Sequence, residues 1–376
     1  MARAFKTITI IGVGLIGGSL GLAVKRRVKG ATVTGFDAPQ VLRKALRRGA
    51  IDTAATNLAT AVSGADLVIL ACPTKKILSL LPAVARSVSP HTLVTDVGSV
   101  KAAIVRRASI FFPNGNFIGG HPMAGIELSG IEAAHPLLFE NAVYVLTPAR
   151  LSAKRVGGSL AWAPQRHVKR LSDFLHTLGA RVMVLDAQTH DSVAAAVSHV
   201  PQLTAVALMN VAGARHPQAR KYLQLAAGGF RDLTRIASSR YDVWQDILQL
   251  NNSEIERALA LMTRELQRYR ARLRKRNNRP LQSDFTRARK LRNAIPRTMK
   301  GFLHSLSDVY VFVQDKPGVL AIMTGALAKA KINIKDMELL KIREGSGGTF
   351  RLAFDSADVA GKAARILRKK GFEVEE

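Results

Sequence analysis

Gly12-Val13-Gly14-Leu15-Ile16-Gly17 stands between a short β-branched run, Thr7 to Ile11, and a helical stretch, Leu15 to Arg27. A glycine turn that ends a strand and opens a helix is the phosphate corner of a doubly wound sheet. The first glycine permits the tight turn, the second lets the main chain approach a pyrophosphate, and the helix N-terminus faces its charge. The spacing alone is weak, because glycine-containing turns are common. Asp37 supplies the context. It follows Gly17 by 20 residues, at the end of a second alternating run, Thr32 to Phe36. A carboxylate there accepts hydrogen bonds from a ribose 2′-hydroxyl and repels a 2′-phosphate. No basic residue follows until Arg43. NAD is therefore expected rather than NADP, held by Gly12, Gly14, Leu15, Ile16, Gly17 and Asp37.

Outward from this corner, strand and helix signals alternate over the first 150 residues. Leu67 to Ala71, Thr92 to Val97, Phe117 to Gly119 and Val143 to Leu146 read as further strands. Strands separated by helices imply right-handed crossovers and a parallel sheet. The pattern blurs between Arg150 and Gln165, then gives a helix, His167 to Leu178, and a strand, Arg181 to Leu185. From His190 to about Lys300 it is nearly all helical. Val193, Val197, Val200, Leu203 and Val206 mark one helix that Pro201 interrupts. The residue before a proline is pushed from the α region, which puts His199 near a kink. Helices this apolar bury a face against one another, often across a dimer. Asp308 to Glu376 reads βαββαβ, the ferredoxin-like order. The expected domains are 1–165 (Rossmann-type, doubly wound), 166–300 (all-helical, for substrate and dimerisation) and 305–376 (small regulatory module).

Composition narrows the class. The chain has 376 residues, 47% hydrophobic, with a single cysteine, Cys72. That excludes wholesale disorder and a disulfide scaffold. No unbroken apolar run reaches the ~18 residues of a membrane span. Met1 to Phe5 shows no signal-peptide cleavage pattern, so a soluble, cytoplasmic protein is expected. The formal net charge is +29, and residues 264–300 carry 14 Lys/Arg against Glu265 and Asp284. Basicity attracts anions but names no partner. Tyr269 and Phe285 are the only aromatics in that stretch, which argues against a nucleic-acid surface and for a solvated helix face.

Strand C-termini in such sheets face the ligand crevice. Cys72-Pro73-Thr74 ends one strand, so the Thr74 hydroxyl is expected near the cofactor ribose, whereas Cys72 reads better as a packed, inert thiol. Asp96-Val97-Gly98-Ser99-Val100-Lys101 and Gly119-Gly120-His121-Pro122 end the next two. A serine and a histidine converging near a nicotinamide suit removal of a hydroxyl proton, the partner event of hydride transfer. By spacing alone His121 is equally a hydrogen-bonded core histidine. No metal-ligand cluster is expected.

The motifs combine into a resemblance. GVGLIGGSL (12–20), DVGSVK (96–101), GGHPMAGIELSG (119–130), NAVYVLTP (141–148), HDSVAAAVSHVP (190–201), GGFRDLTRIASS (228–239) and VWQDI (243–247) resemble the prephenate dehydrogenase family over residues 5 to about 295. DKPGVL (315–320) resembles an ACT regulatory domain. The resemblance implies a Rossmann domain, a helical dimerisation domain, a homodimer, and oxidative decarboxylation of prephenate to 4-hydroxyphenylpyruvate, CO2 and NADH. It implies His121 as the catalytic histidine and Ser99 as the residue that positions the substrate hydroxyl. It gives Arg235 a substrate carboxylate, and places His199, Gly228 and Trp244 around the substrate side chain. Glu127 and Arg231 resemble a pair closing the pocket mouth. Gly318, with its loop, is expected to meet an amino-acid effector, tyrosine. Taken singly, Arg235 reads as an ion pair with Asp232, Trp244 as core and His199 as a buried histidine. There are two departures from the pattern: Gln202, where the family often has histidine, and Arg240-Tyr241-Asp242, where it often has a short acidic or Ser-Pro run. Two other readings stand beside this one. Arogenate dehydrogenase shares the fold and chemistry, and a non-catalytic NAD-sensing protein would use the basic surface on nucleic acid.

Overall fold

Alternate residues of the central strands enter opposite cores. Leu67 and Ile69 pack on one face with Ile8, Ile10 and Val33, while Val68 and Leu70 pack on the other with Ile11, Val94 and Phe117. Strands buried on both faces read as continuous apolar runs, which is why they were visible in the sequence. The computed structural model describes residues 5–124, 128–156, 159–214, 219–276, 279–294, 306–343 and 347–375. By contacts the chain divides into Met1–Leu281 and Gln282–Glu376.

The first unit opens with β1 (Thr7–Ile11), α1 (Leu15–Arg27), β2 (Thr32–Phe36), α2 (Pro39–Arg47), β3 (Thr53–Ala55) and α3 (Leu58–Val62). It continues with β4 (Leu67–Leu70), α4 (Thr74–Ser87), β5 (Leu93–Asp96), α5 (Ala102–Phe111) and β6 (Phe117–Pro122). Then come β7 (Val143–Pro148), β8 (Arg150–Val156), β9 (Ser159–Trp162), α6 (Gln165–Thr177) and β10 (Arg181–Val184). Among the described residues eight strands form one sheet in the order β10-β7-β6-β5-β4-β1-β2-β3. The order reverses between β1 and β4, the switch point at which doubly wound sheets bind ligands.

One pairing departs from the expected parallel sheet: β6 and β7 run antiparallel. Among the described residues, the short turn Ile131–Ala133 is the one helical segment in the connection between them, and a parallel pair needs a crossover, usually a longer helix. β3 escaped the sequence reading because it is three residues long and mostly exposed. The hairpin β8–β9 escaped it because its register shifts between Leu151 and Arg155, which breaks the alternation.

The helical part comprises α7 (Ala187–Ala194), a π-turn (Ala195–His199), α8 (Val200–Met209), α9 (Ala219–Gln224), α10 (Gly228–Thr234), a 3-10 turn (Arg235–Ser238), α11 (Tyr241–Leu250) and α12 (Asn252–Arg274), and α13 (Arg279–Ala294) spans the division at Leu281. The interruption expected before Pro201 takes the form of a π-turn that ends at His199. Val200 keeps α geometry, φ −65° and ψ −45°. The wider π-turn one step earlier accommodates the proline ring and its missing N–H. Ala187–Gly213 thus forms one 27-residue helix with an 18-residue stretch of mean hydropathy 1.4, long and apolar enough to cross a bilayer by composition. His190, Asp191, His199 and Gln202 interrupt its apolar residues, so no apolar run of that length marks it in the sequence. Its buried His190, Asp191, His199 and Gln202 make polar contacts within the unit. Its Val193, Val197, Val206 and Val211 are exposed.

The second unit holds β11 (Ser307–Val313), α14 (Val319–Lys329), β12 (Asp336–Arg343), β13 (Gly347–Phe354), α15 (Ala357–Lys369) and β14 (Glu373–Glu375). Its sheet order is β12-β13-β11-β14, with antiparallel pairs. This is the expected βαββαβ arrangement. Val309, Val311, Met323, Leu327, Leu352 and Leu367 form its core.

Candidate active site

Gly12 leaves β1 at φ +92°, and a Cβ there would meet the Ala71 carbonyl oxygen at 2.4 Å. Glycine alone makes this turn so close to the end of β4. At Gly14, the residue capping α1, an added Cβ would meet nothing within 4 Å. A helix N-terminus facing open space is a place for a phosphate. Leu15 and Ile16 are half-buried behind it and Gly17 is buried. Asp37 Oδ2 accepts from the Val13 N–H at 2.7 Å and Oδ1 from the Ala38 N–H at 2.6 Å. The carboxylate is thereby tied to the glycine loop, and its remaining lone pairs can accept from ribose hydroxyls. These residues fit a dinucleotide.

Thr74 is buried at the start of α4. The next residue links that helix to the helical part: the Lys75 N–H donates to Asp246 Oδ2 at 2.9 Å. Asp246 lies on α11, which also carries Trp244. Burial, reinforced by Asp96, pushes the Cys72 thiol up to about 12, so the inert reading of that residue holds.

The loop after β5 is built around a buried ion pair. Lys101 and Asp96 are both fully buried and paired. The Lys101 ammonium also donates to the Gly120 carbonyl at 2.7 Å. Asp96 accepts from the Gly98 N–H at 2.8 Å and the Gly120 N–H at 3.1 Å. Ser99, half-buried, lies between the two charged residues in sequence. The pair therefore clamps the Ser99 loop to the residue before His121. Burial draws the Lys101 pKa down, and Asp96 opposes that shift.

His121, half-buried at the end of β6, meets a residue 69 positions later. Its Nδ1 is 2.8 Å from His190 Nε2, and His190 Nδ1 is 2.8 Å from Asp191 Oδ1. His190 and Asp191 are each 2% exposed. Asp191 also accepts from the Lys101 and Ala102 N–H groups, at 2.7 and 2.8 Å. One carboxylate thus anchors the start of α5 and the row of imidazoles. Asp186 caps α7, accepting from the Gln188 and Thr189 N–H groups, and so starts the helix that presents His190. Burial, then His190 and the Lys101 ammonium, holds the His121 pKa well below the usual histidine value.

The row continues. Asn251 Nδ2 donates to the Asp191 carbonyl at 2.9 Å and lies 3.3 Å from His199 Nδ1. Burial lowers the His199 pKa to about 4, so this ring is neutral and its Nδ1 accepts from Asn251. Trp244 packs edge-on against it, with ring centroids 5.9 Å apart. His121, His199 and Trp244 are therefore brought together through His190, Asp191 and Asn251.

Arg235 opens the adjoining 3-10 turn, and its side chain is exposed. That turn is tied to α8 by Gln202, whose Nε2 donates to the Ile236 carbonyl at 3.0 Å. Gly228 begins α10, and Arg231 lies on it, also exposed. Glu127, the expected partner of Arg231, falls outside the described residues. Sequence reasoning missed His190, Asp191, Lys101, Asp96 and Asn251. Two signals were present: a His-Asp pair in the first turns of an apolar helix, and a lysine closing an otherwise small, apolar loop.

Comparison with known proteins follows the same two parts. A family model described as "Prephenate dehydrogenase, nucleotide-binding domain" matches residues 20–184, and one described as "Prephenate dehydrogenase, dimerization domain" matches 186–287. The chain belongs to the prephenate dehydrogenase family. A prephenate dehydrogenase of Bacillus subtilis is 34% identical over 97% of this chain and 96% of its own. One from Lactococcus lactis is 35% identical over 97% and 98%. The solved structure of the Aquifex aeolicus prephenate dehydrogenase, in complex with hydroxyphenyl propionate and NAD+, superposes with TM-score 0.70 at 26% identity. It covers 78% of this chain and 100% of that one. Within the family, then, the His190–Asp191 pair sits on the dimerization-domain match while His121 sits on the nucleotide-binding match.

Proposed function

We propose that this chain is an NAD-dependent prephenate dehydrogenase, converting prephenate to 4-hydroxyphenylpyruvate, CO2 and NADH. The observation that carries the reading is His121. It is a neutral imidazole with one nitrogen engaged by His190, on the same sheet edge as the Gly12–Gly17 corner. Gly12, Gly14, Leu15, Ile16, Gly17, Asp37 and Thr74 would hold NAD, which when bound accepts the hydride from substrate C4. His121 takes the proton from the 4-hydroxyl as that hydride departs, and Ser99 orients the hydroxyl. The bond from C1 to the ring carboxylate then breaks, and its electron pair enters the ring, which becomes aromatic. The proton held on His121 returns to the ring oxygen, so no net proton is released.

Arg235 anchors a substrate carboxylate, a task its planar fork suits better than lysine. It must not overstabilise the ring carboxylate, whose charge has to move into the ring. His199, Gly228 and Trp244 surround the side chain, and Arg231 with Glu127 closes the mouth. Arg235→Gln is expected to raise KM for prephenate by roughly 10- to 100-fold, the range for one charge-assisted hydrogen bond, and to change kcat less. Steady-state assays with prephenate and arogenate, each with NAD and NADP, test both claims. A preference for arogenate would overturn the substrate assignment. A fall in kcat at constant KM would overturn the anchoring role. The high-coverage relatives named prephenate dehydrogenases favour prephenate.

The reading extends to assembly and control. The exposed valines of Ala187–Gly213 and the dimerization-domain match support a homodimer. The proposed enzyme is cytoplasmic, with domain limits near 1–165, 166–300 and 305–376. In the second unit a cavity of about 460 Å3 is lined by Val313, Gln314, Gly318, Val319, Leu339 and Phe350. An apolar wall beside loop main chain suits an aromatic amino acid, and tyrosine, the amino acid made from this product, is the effector proposed. Tyrosine should inhibit the full-length enzyme, and Ala321→Phe, a substitution at a further residue of the cavity lining, should raise the inhibitory concentration by at least tenfold. Equal inhibition of both forms would overturn the assignment.

A further inference from the structure

We propose that His190 and Asp191 are positioning residues for the reaction: they hold His121 in the tautomer that carries its proton on Nδ1, so that Nε2 is the nitrogen that meets the substrate hydroxyl. The inference rests on the reading of His121 as the base.

With His190 neutral, the geometry runs in one direction only. Asp191 already accepts from two main-chain N–H groups, on Oδ1 and on Oδ2. A carboxylate in that setting is an acceptor in its third hydrogen bond as well, so His190 Nδ1 must donate to it across 2.8 Å. A neutral imidazole that donates from Nδ1 accepts on Nε2. The 2.8 Å contact between His190 Nε2 and His121 Nδ1 is then a donation by His121. Its own Nε2 is left with a free lone pair. The alternative tautomer of His121 would set two lone pairs against each other in a buried site.

The same chain serves the charged intermediate. When His121 takes up a proton it becomes an imidazolium beside the Lys101 ammonium, in a setting that disfavours charge. His190 accepts its Nδ1–H throughout, and the Asp191 carboxylate lies one imidazole further on. The proton itself stays on His121, because the product oxygen takes it back. The pair therefore orients and steadies the base without exchanging a proton with it. Asp191 also carries the N–H groups of Lys101 and Ala102, so the Ser99 loop and the base are registered to one anchor.

The test separates the tautomer from the rate. Long-range 1H–15N imidazole spectra of the 15N-labelled full-length protein, with His121 assigned by its loss in His121→Asn, report the tautomer directly. The wild type should show a protonated Nδ1 and a bare Nε2. In His190→Leu, His121 should redistribute toward the other tautomer, and kcat should fall by roughly 10- to 100-fold, short of the ~10²–10⁴ carried by a general base. KM for prephenate should stay within about threefold. His190→Gln, whose Oε1 can accept the same hydrogen bond, should restore the tautomer and most of kcat. A wild-type ring protonated on Nε2 would overturn the proposal, as would an unchanged tautomer in His190→Leu. So would His190→Gln with the rate of His190→Leu. If the tautomer is as described but His121→Asn turns over normally, the base assignment has failed and the positioning chain stands without a catalytic role.

Discussion

His121→Asn is expected to lower kcat by about 10²- to 10⁴-fold, the range a positioned general base contributes, while KM for prephenate changes little. Asparagine is the informative replacement. Its side-chain amide can still donate to His190 Nε2, so the row of buried contacts survives and only the proton acceptor is removed. Steady-state kinetics with NAD in excess measures the split. A rise in KM without loss of kcat would move His121 from chemistry to binding. The wild-type pH profile carries a linked expectation. Burial, then His190 and Lys101, holds the imidazole well below its ordinary value. The base form is the deprotonated one, so kcat/KM should remain level through pH 6.5 and decline only further on the acid side. A decline centred at or above pH 6.5 would show a ring with an ordinary or raised pKa and would contradict the setting described.

Lys101→Met is expected to destabilise the first unit by about 3–5 kcal/mol, the cost of leaving one charge of a buried pair without its partner. For a unit this size that corresponds to a fall in Tm of roughly 10 °C. The loss falls on Asp96, whose carboxylate keeps, among the described residues, the Gly98 and Gly120 N–H donors. Desolvation of the pair is already complete, both side chains being 0% exposed, so solvent cannot screen the unpaired charge. Adding Asp96→Asn to Lys101→Met removes that charge while keeping a carbonyl acceptor, and should recover at least half of the loss. Thermal unfolding of the wild type, both single variants and the double variant closes the cycle. Strictly additive Tm changes would show that the two residues act separately. The lysine also holds the Gly120 carbonyl, so Lys101→Met should lower activity by disturbing His121, unlike a variant of an exposed lysine.

Much of this was legible before any coordinates. The glycine corner, the ends of α1 and the strands β1 and β2 were readable because their signals are local: apolar runs for strands covered on both faces, and glycines where the backbone turns. The βαββαβ order of the second unit was readable for the same reason. The antiparallel β7 was not, since direction depends on what the intervening chain does in space. Nor was the form of the interruption at Pro201, a π-turn ending at His199 while Val200 itself keeps α geometry.

Within the site, Asp37, Thr74, Ser99 and His121 could be named from the sequence because each needs only a position at a strand end or the loop after it. Those that matter through a partner were not. His190 and Asp191 look like ordinary helix residues until α7 is laid against the end of β6. Lys101 looks like a solvated lysine until its ammonium is found enclosed with Asp96. By itself the sequence determined the doubly wound sheet, the dinucleotide corner and the identity of the candidate base, because each is written within a few tens of residues. The tertiary structure alone decided which nitrogen of that base is free and which charges are buried beside it. Tautomer and desolvation are set by atoms that meet across 69 and more residues of chain, and spacing along the chain carries no record of them.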